Sequence, residues 1–355
     1  MSAIGSPPAA APDLELVPFD DPDAVRLREV QQAELAATYG VAPGQSDVGD
    51  PVTGDAAVAT VVLREAGVPV ACGTVRDVSG APDGRGGRHP DGTGEVKRVF
   101  VDPSCRGRGL SKAVMAALES HAAQHGLRSL VLETGTRQPE AIGLYLALGY
   151  VPTERYGAYV AEADSRCFAK PLAAGGPGAP VPAAPPGQGE RRRPVDLAEV
   201  AWDHPDAAVL RREMFETTNL ARYPEDFAHL AEPAAFAASD AGLGRSVLVT
   251  VLASRDGRAL GCASVRVADA GSPAGAAELS KVFVRAEARR TGVATALLDA
   301  AEQAARSRGF ARLLLGTGPR QPEALATYRR RGYRPVLPFP PYDAFDSAFC
   351  LGLVL

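Results

Sequence analysis

Between residues 95 and 126 the chain reads EVKRVFVDPSCRGRGLSKAVMAALESHAAQHG. At its centre Arg106, Gly107, Arg108 and Gly109 form a turn that feeds Leu110 and Ser111 at the start of a helix. The first N–H groups of a helix have no internal partner and the helix dipole is positive there, so a glycine-rich turn at that point is a site for an anion. Glycines let a ligand approach the backbone closely. Arg106 and Arg108 add charge and donors suited to phosphate oxygens, and the turn reads as a pyrophosphate cradle. The pattern G-x-x-x-x-G-K-[ST] of a P-loop is absent. A dinucleotide fingerprint is excluded as well, because Lys112 stands where its third glycine belongs. Taken alone, R-x-x-G-x-small is equally an ordinary tight turn before a surface helix.

The arrangement recurs. Glu278, 183 residues after Glu95, leads a strand with Val282, Phe283 and Val284. Arg289, Arg290, Thr291 and Gly292 then pass through Val293 and Ala294 into a helix. That helix sets Val293, Ala296, Leu297, Ala300 and Ala301 on one face, as the first sets Leu110, Ala113, Val114, Ala117 and Leu118. Residues 137–141, RQPEA, are identical to residues 320–324; Tyr145 matches Tyr328, and Gly149-Tyr150 matches Gly332-Tyr333. A period this long is the duplication of a whole domain, not a solenoid repeat.

The strand, the R-x-x-G-x-S turn and the helix resemble the acetyl-CoA-binding core of the GNAT superfamily of N-acetyltransferases. Residues 132–150, LETGTRQPEAIGLYLALGY, resemble the family's next strand and helix, with its tyrosine and closing glycine-aromatic pair. The resemblance covers residues 14–172 and 193–355. Ser111 replaces the commoner glycine or alanine and is still small. The resemblance implies two tandem α/β (α+β) domains, each a mixed, mostly antiparallel central sheet flanked by helices. It implies acetyl-CoA as cosubstrate, and the five scattered histidines give no support to a metal. The pyrophosphate would lie on Arg106–Ser111 and on the matching Arg289, Arg290, Thr291, Gly292, Val293 and Ala294. The backbone of Val99, Phe100 and Val101, and of Val282, Phe283 and Val284, would pair with the pantetheine arm like an added strand, and an N–H of that strand would serve the oxyanion.

Acetyl transfer from a thioester needs a neutral amine. A lysine-like amine titrates at about 10.4, so near pH 7 ionisation opposes attack by roughly 4–5 kcal/mol, and a general base is worth having. The resemblance gives that role to Glu95 and Glu278, each 11 residues before its motif arginine; the other reading is an ion pair with a basic side chain of the neighbouring strand. Glu133, at the end of the next strand, is a second carboxylate near the expected cleft, and Gly316 is its counterpart. Tyr145 and Tyr328 stand where the family often places the acid that protonates the departing thiolate, and are otherwise core tyrosines. Arg137 and Arg320 meet either a substrate carboxylate or loop carbonyls. The expectation is an acetyl-CoA-dependent N-acetyltransferase acting on the primary amine of a small molecule by direct attack in a ternary complex. A peptide or protein acceptor, or a non-catalytic acyl-CoA sensor or scaffold with one degenerate domain, are the alternatives. The first half has more of what the chemistry wants: two cradle glycines, Glu133, and a longer loop at 79–94 able to act as a lid.

These residues need a frame. The first half reads as a strand at 14–18, then a helix at 22–39 with Val25, Val30, Ala33 and Ala37 inward. A hairpin of 57–64 and 68–75 turns at Ala66-Gly67. After the loop and cradle come a strand at 129–133, a helix opened by Pro139 and stopped at Gly149, and two strands within 151–172. The second half repeats the order: a strand at 195–200, a helix at 205–219, helical segments over 224–238, a hairpin of 245–253 and 258–267, a strand at 311–315 and a helix after Pro322. Residues 1–13 read as a disordered lead-in. Residues 173–194, of which 11 of 22 are Gly or Pro, read as a linker between domains at 14–172 and 195–355.

Length agrees, since 355 residues favour two domains. The net charge of −4 argues against a nucleic-acid partner. Residues 1–172 carry 16 Lys+Arg and 22 Asp+Glu, a balance of −6, against 22 and 20, or +2, for the rest; an acidic first half suits a cationic amine. No run approaches ~18 apolar residues, which argues against a membrane span, and the first residues lack the basic and apolar regions of a secretory signal. Of five cysteines, Cys72 matches Cys262 and Cys167 matches Cys350, while Cys105 is unmatched; the spacing is neither a disulfide framework nor a zinc site. His121 and His125 read as exposed helix surface. Reduced thiols fit a cytoplasmic protein, either a monomer of two packed domains or a homodimer.

Overall fold

Runs rich in β-branched residues on either side of Ala66-Gly67 make a hairpin of β2 (Ala57–Glu65) and β3 (Val68–Asp77). Both turn residues have positive φ, 49° and 78°, the turn hand that matches strand twist. The structure, a computed structural model, describes residues 13–42, 52–172 and 194–355. The chain divides into two compact units, Met1–Ala183 and Ala184–Leu355. The expected lead-in and linker lie outside the described residues, apart from Asp13 and Pro194.

In the first unit β1 (Asp13–Val17) joins β2, and β4 (Thr93–Val101) joins β3, both antiparallel. β5 (Ser129–Gly135) runs parallel to β4, β7 (Ser165–Pro171) is antiparallel to β5, and β6 (Val151–Thr153) closes the edge. The order is β1-β2-β3-β4-β5-β7-β6. Helices cover both faces, so the middle of β3 is buried on each. Helix α1 (Pro22–Tyr39) is started by Asp21, whose carboxylate accepts from the N–H groups of Asp23 and Ala24, and is stopped by Gly40 in the left-handed region; such a cap contributes about 1 kcal/mol. Its Ala24 and Leu27 pack with Val62, Cys72 and Phe100. Helix α2 (Leu110–Gln124) lies on the other face. A Cβ on Gly73 would stand 2.8 Å from both Val114 and Leu118, so this glycine sets the close approach of α2 to β3. Helix α3 (Pro139–Ala147) follows β5.

Helix α1 turns differently from the expectation. Ala24, Leu27 and Ala36 are buried, whereas Val30, Ala33 and Ala37 are exposed. The inward stripe passes through Gln31, whose Nε2 donates to Val99 O at 2.9 Å; an apolar pattern cannot reveal a stripe with an amide in it.

The second unit repeats the sheet as β13-β14-β12-β11-β10-β9-β8. Its strands are β8 (Asp196–Val200), β9 (Val247–Arg255), β10 (Arg258–Val267), β11 (Ala276–Val284), β12 (Arg312–Thr317), β13 (Arg334–Pro335) and β14 (Phe349–Val354). Its helices are α4 (Pro205–Met214), α5 (Pro224–Phe227), α6 (Pro233–Gly244), α7 (Val293–Ser307) and α8 (Pro322–Arg330). The expected helix at 205–219 is regular only to Met214 and continues as a wider, π-helical turn over Phe215–Leu220, where Phe215 packs on Phe227 and Phe236. Arg211 holds this region to α6: its guanidinium stacks 3.6 Å from the Trp202 ring centroid and is bidentate to Asp240. No helix among the described residues is long and apolar enough to cross a membrane.

The loop after β3 is docked. Gly157 N donates to Asp83 O at 2.7 Å, Asp83 Oδ1 accepts from the N–H groups of Arg85 and Gly87, and His89 packs edge-on to Tyr156 with centroids 5.2 Å apart. Gly84, at φ 72°, is where the loop meets this neighbour, and a Cβ there would overlap the backbone of Gly157. Gly84→Ala should therefore undock the loop. Hydrogen exchange at the Gly157 amide is expected to quicken at least tenfold, with the exchange of β3 unchanged; equal protection in both forms would mean that the docking does not depend on this contact.

Candidate active site

The two glycine turns have one geometry. Gly109 (φ 81°, ψ 6°) caps α2, and Gly292 (φ 94°, ψ −5°) caps α7, neither with a side-chain cap. The first donors of each helix are thus left for an external acceptor. Nothing lies within 4 Å of a Cβ built on Gly107 or Gly109, so that turn faces open space. Arg106 Nε donates to Val101 O at 3.0 Å and Arg289 Nε to Val284 O at 3.2 Å, tying each turn to the preceding strand. The outer ends of Arg106 and Arg108 pair with Glu34 and Glu65; these are exposed pairs of the kind that contribute little and exchange readily. Arg290 takes the place of Gly107 and keeps its left-handed conformation, at φ 65°.

Next to each turn the sheet opens. Strands β4 and β5 pair only from Thr93–Ser129 to Val96–Leu132, and β11 and β12 only from Ala276–Arg312 to Glu278–Leu314. Beyond these pairs β4 and β11 each carry a bulge. Cys72 faces Phe100 while Thr74 faces Lys97, which leaves one extra residue on β4; Cys262 and Ser264 face Phe283 and Ser280 in the same way. The bulge residues Arg98 and Lys281 have φ of 60° and 53°. Val99, Phe100 and Val101 therefore border the opening. Gln31 Oε1 is buried without a hydrogen-bond partner while its Nε2 holds Val99 O. A buried acceptor lacking its donor beside this strand fits an amide-bearing arm laid along it.

One face of the first sheet is polar. Glu95 is about 1% exposed, and both its oxygens are engaged. Arg76 donates to Oε2 through Nε at 2.7 Å and Nη2 at 2.6 Å, and the Tyr156 hydroxyl donates to Oε1 at 3.0 Å. The expected alternatives for Glu95, a base or a partner of a basic residue on the next strand, meet here: it is paired with β3. Glu133 is different. It is half-buried, and Ser165 Oγ donates to its Oε1 at 2.6 Å. Burial pushes its carboxyl up to about 7, against the Ser165 hydrogen bond and Lys97, with Glu95 and Glu162 adding to the rise.

In the second unit Arg266 and the Tyr342 hydroxyl hold Glu278 as Arg76 and Tyr156 hold Glu95. Gly316 stands where Glu133 does, and a Cβ there would overlap the ring of Tyr342. An aromatic ring thus fills the space that a carboxylate takes in the first unit.

Tyr145 packs on Phe168 and Tyr150, with centroids 6.0 Å away in each case, and Tyr328 packs on Tyr333 at 5.5 Å. Phe168 pairs with Leu132 in the sheet while Cys167 pairs with Glu133. Because neighbours along a strand face opposite ways, Tyr145 lies on the other face of the sheet from Glu133. Burial pushes the hydroxyls of Tyr145 and Tyr328 up, so both are protonated at neutral pH. Arg137 donates to Thr38 O at 3.4 Å and Arg320 to Arg222 O, so each meets a carbonyl at the end of a helical segment rather than the expected loop carbonyl, and Arg320 also pairs with Glu225. Arg76, Lys97, Tyr156 and Gln31 were not singled out from the sequence. Arg76 had a signal, since ACGTVR and GCASVR place Arg76 and Arg266 at matching positions; Tyr156 had none, because its partner role falls to Tyr342, three positions out of register.

The sequence model of the Acetyltransferase (GNAT) family matches the chain twice, over residues 26–150 and 210–333. An IAA acetyltransferase of Azospirillum brasilense is 36% identical over 112 residues, 32% of this chain and 67% of that protein. A mycothiol acetyltransferase of Cellulomonas flavigena is 36% identical over 75 residues, so the match spans only 21% of each. Among solved structures, the IAA acetyltransferase from Bacillus cereus ATCC 14579 aligns at 16% identity with a TM-score of 0.34, covering 46% of this chain and 100% of that one.

The raised carboxyl of Glu133 has a consequence for stability. The folded form holds this proton to a higher pH than the unfolded chain, so the associated stability is present below about pH 4.5 and is lost as pH rises to about 7. Glu133→Gln removes that loss. In urea titrations the variant is expected to gain stability relative to the parent as pH goes from 4.5 to 8; a constant difference across this range would show that Glu133 titrates normally.

Proposed function

The chain belongs to the acetyltransferase (GNAT) family and is an acyltransferase, and from that premise we propose that its first unit transfers an acetyl group from acetyl-CoA to the primary amine of a small molecule. The observation that carries this reading is Glu133. It is a half-buried carboxyl, raised to about 7, at the strand opening beside a cradle of free helix donors. A base that titrates near the working pH combines a usable ionised fraction with useful basicity. A small-molecule acceptor is supported by the names of the two curated relatives, which refer to IAA and mycothiol.

Acetyl-CoA supplies the thioester. The turn from Arg106 to Ser111 offers backbone donors to its pyrophosphate, with Arg106 and Arg108 released from Glu34 and Glu65. Gln31 and the Val99–Val101 backbone take the amide-bearing arm. Glu133 accepts the proton of the incoming ammonium, leaving the nitrogen lone pair free to form the new bond to the acetyl carbon. Attack leaves the nitrogen cationic, and it gives its second proton to solvent. As the carbon–sulfur bond breaks, its electron pair leaves with sulfur, which takes a proton from Tyr145, and the tyrosine hydroxyl is restored from solvent. Glu95 is a positioning residue, held by Arg76 and Tyr156.

In the second unit the cradle keeps its shape, but Tyr342 covers Gly316, and the carboxylate nearby, Asp269, is engaged by both end nitrogens of Arg266. We assign it acyl-CoA binding without a comparable transfer site.

Glu133→Gln is expected to lower kcat by about 10²–10⁴-fold while calorimetry shows unchanged acetyl-CoA affinity, and Glu278→Gln in the same full chain should leave kcat within a few-fold. The reverse pattern would move the activity to the second unit. Gly109→Glu sets a side chain and a negative charge against the first cradle and should remove one equivalent of bound acetyl-CoA per chain; undiminished stoichiometry would mean that the ligand binds elsewhere.

A further inference from the structure

The two units are an internal comparison. Both keep a buried strand carboxylate, an arginine beside it on the neighbouring strand and a tyrosine on its second oxygen. Both also keep a buried hydroxyl pair, Thr60–Thr74 at 3.0 Å and Thr250–Ser264 at 2.9 Å. Losing either partner of the buried carboxylate alone would leave a charge unpaired. Two groups are lost together. Where the first unit has Glu133 the second has Gly316, and where the first has Lys97 the second has Ser280.

The register explains the link. Glu95 faces Val131 and Val96 faces Leu132. One further step sets position 97 across from position 133, on the polar face, where the strands part. Lys97 Nζ hydrogen-bonds the Tyr159 hydroxyl, lies 5.1 Å from the centroid of that ring and is 3.9 Å from Glu95 Oε1. Glu95 already takes two donors from Arg76 and one from Tyr156, so it does not need this ammonium. Glu133 does, because its direct donor among the described residues is the neutral Ser165 hydroxyl.

We propose that Lys97 is a positioning residue for the transfer: its ammonium balances the charge of Glu133 each time that carboxyl gives up and regains its proton, and so sets the pH at which the base is ready. This role rests on the reading of Glu133 as the base. The groups around Glu133 are Glu95 and Lys97 on β4, Ser165 and Cys167 on β7, Tyr159 and Glu162 before it, Tyr145 on α3 and Tyr39 on α1. Among the described residues Arg76 acts on Tyr159 and Arg155 on Cys167, while Lys97 is the cation that lowers Glu133 itself. Without it the ionised form loses its counter-charge, so the carboxyl midpoint moves up; an opposite charge at short range shifts a carboxyl by about one unit or more.

The test uses the full chain and two variants. Lys97→Ser installs the residue that the second unit carries at this position, and Lys97→Arg keeps the charge. The titration of Glu133 is followed without substrate by carbon-detected carboxyl NMR, with Glu133→Gln assigning the signal, and the pH profile of kcat/KM is measured in parallel. In Lys97→Ser the carboxyl midpoint and the rising limb of the profile are expected to move up together by about one pH unit, and in Lys97→Arg both return to within a few tenths of the parent. An unmoved carboxyl midpoint in Lys97→Ser, or an arginine variant no closer to the parent than the serine variant, overturns the role of Lys97. Full turnover in Glu133→Gln overturns the base assignment beneath it. The two failures are read in different variants.

Discussion

A carboxylate about 1% exposed, as Glu95 and Glu278 both are, is tolerable only when its oxygens are paired. Leaving one partner out of such an arrangement costs about 3–5 kcal/mol. Arg76 and Tyr156 meet this demand in the first unit, Arg266 and Tyr342 in the second. The arginines come from the adjacent strand, directly opposite in register: Arg76 faces Glu95 and Arg266 faces Glu278. The ion pair thus locks the register of the two central strands at the level where the parallel partner begins to part from them. The tyrosines come from the segment before the last strand and anchor that segment over the opening. Cradle, opening and polar face are placed relative to one another through this pair.

Once the pair is fixed, the units differ by what fills the next position along the opening. A glycine at 316 admits the ring of Tyr342, and the ring's hydroxyl then completes Glu278 from that side. A glutamate at 133 excludes a ring, so the pairing role shifts three positions to Tyr156. Tyr159, which matches Tyr342 in sequence, is released to bond Lys97 instead. One substitution of a side chain for a hydrogen therefore goes with a rearranged aromatic cluster and leaves a carboxyl at this position of the opening in only one unit. The longer loop at 79–94 belongs to the same change: it docks on Gly157 and packs His89 against Tyr156, supporting the tyrosine in its shifted position.

The sequence made the frame legible wherever a local rule was strong. The duplicated turn, the Ala66-Gly67 hairpin, the proline-opened helices and the Glu133/Gly316 difference were all readable, because glycine, proline and charge act over a few residues. The face of α1 was not, since its alanines lie on both sides and Gln31 sits in the inward stripe. The partners of Glu95 and Glu278 were only half readable. Arg76 and Arg266 hold matching positions, but the tyrosines reach their carboxylates through tertiary packing, and the register shift between Tyr156 and Tyr342 follows from a volume change on another strand.

One matched pair of cysteines, Cys72 and Cys262, acquires a reason from the bulge. Arg98 and Lys281 are non-glycine residues in the left-handed region, a conformation that costs of order 1–3 kcal/mol and persists only where its surroundings over-determine it. Each bulge carbonyl faces a thiol on the neighbouring strand: Cys72 Sγ lies 3.6 Å from Arg98 O, and Cys262 Sγ 3.5 Å from Lys281 O. Burial pushes both thiols up to about 12, so each keeps its proton and can donate to that carbonyl. A serine would be a stronger donor but also a stronger acceptor needing its own partner in an apolar cluster with Leu27 and Val62. Cysteine supplies the weak donor with little desolvation cost. Both units keep the strained residue and its thiol, which is what selection on the shape of the opening, rather than on the chemistry of one site, would preserve.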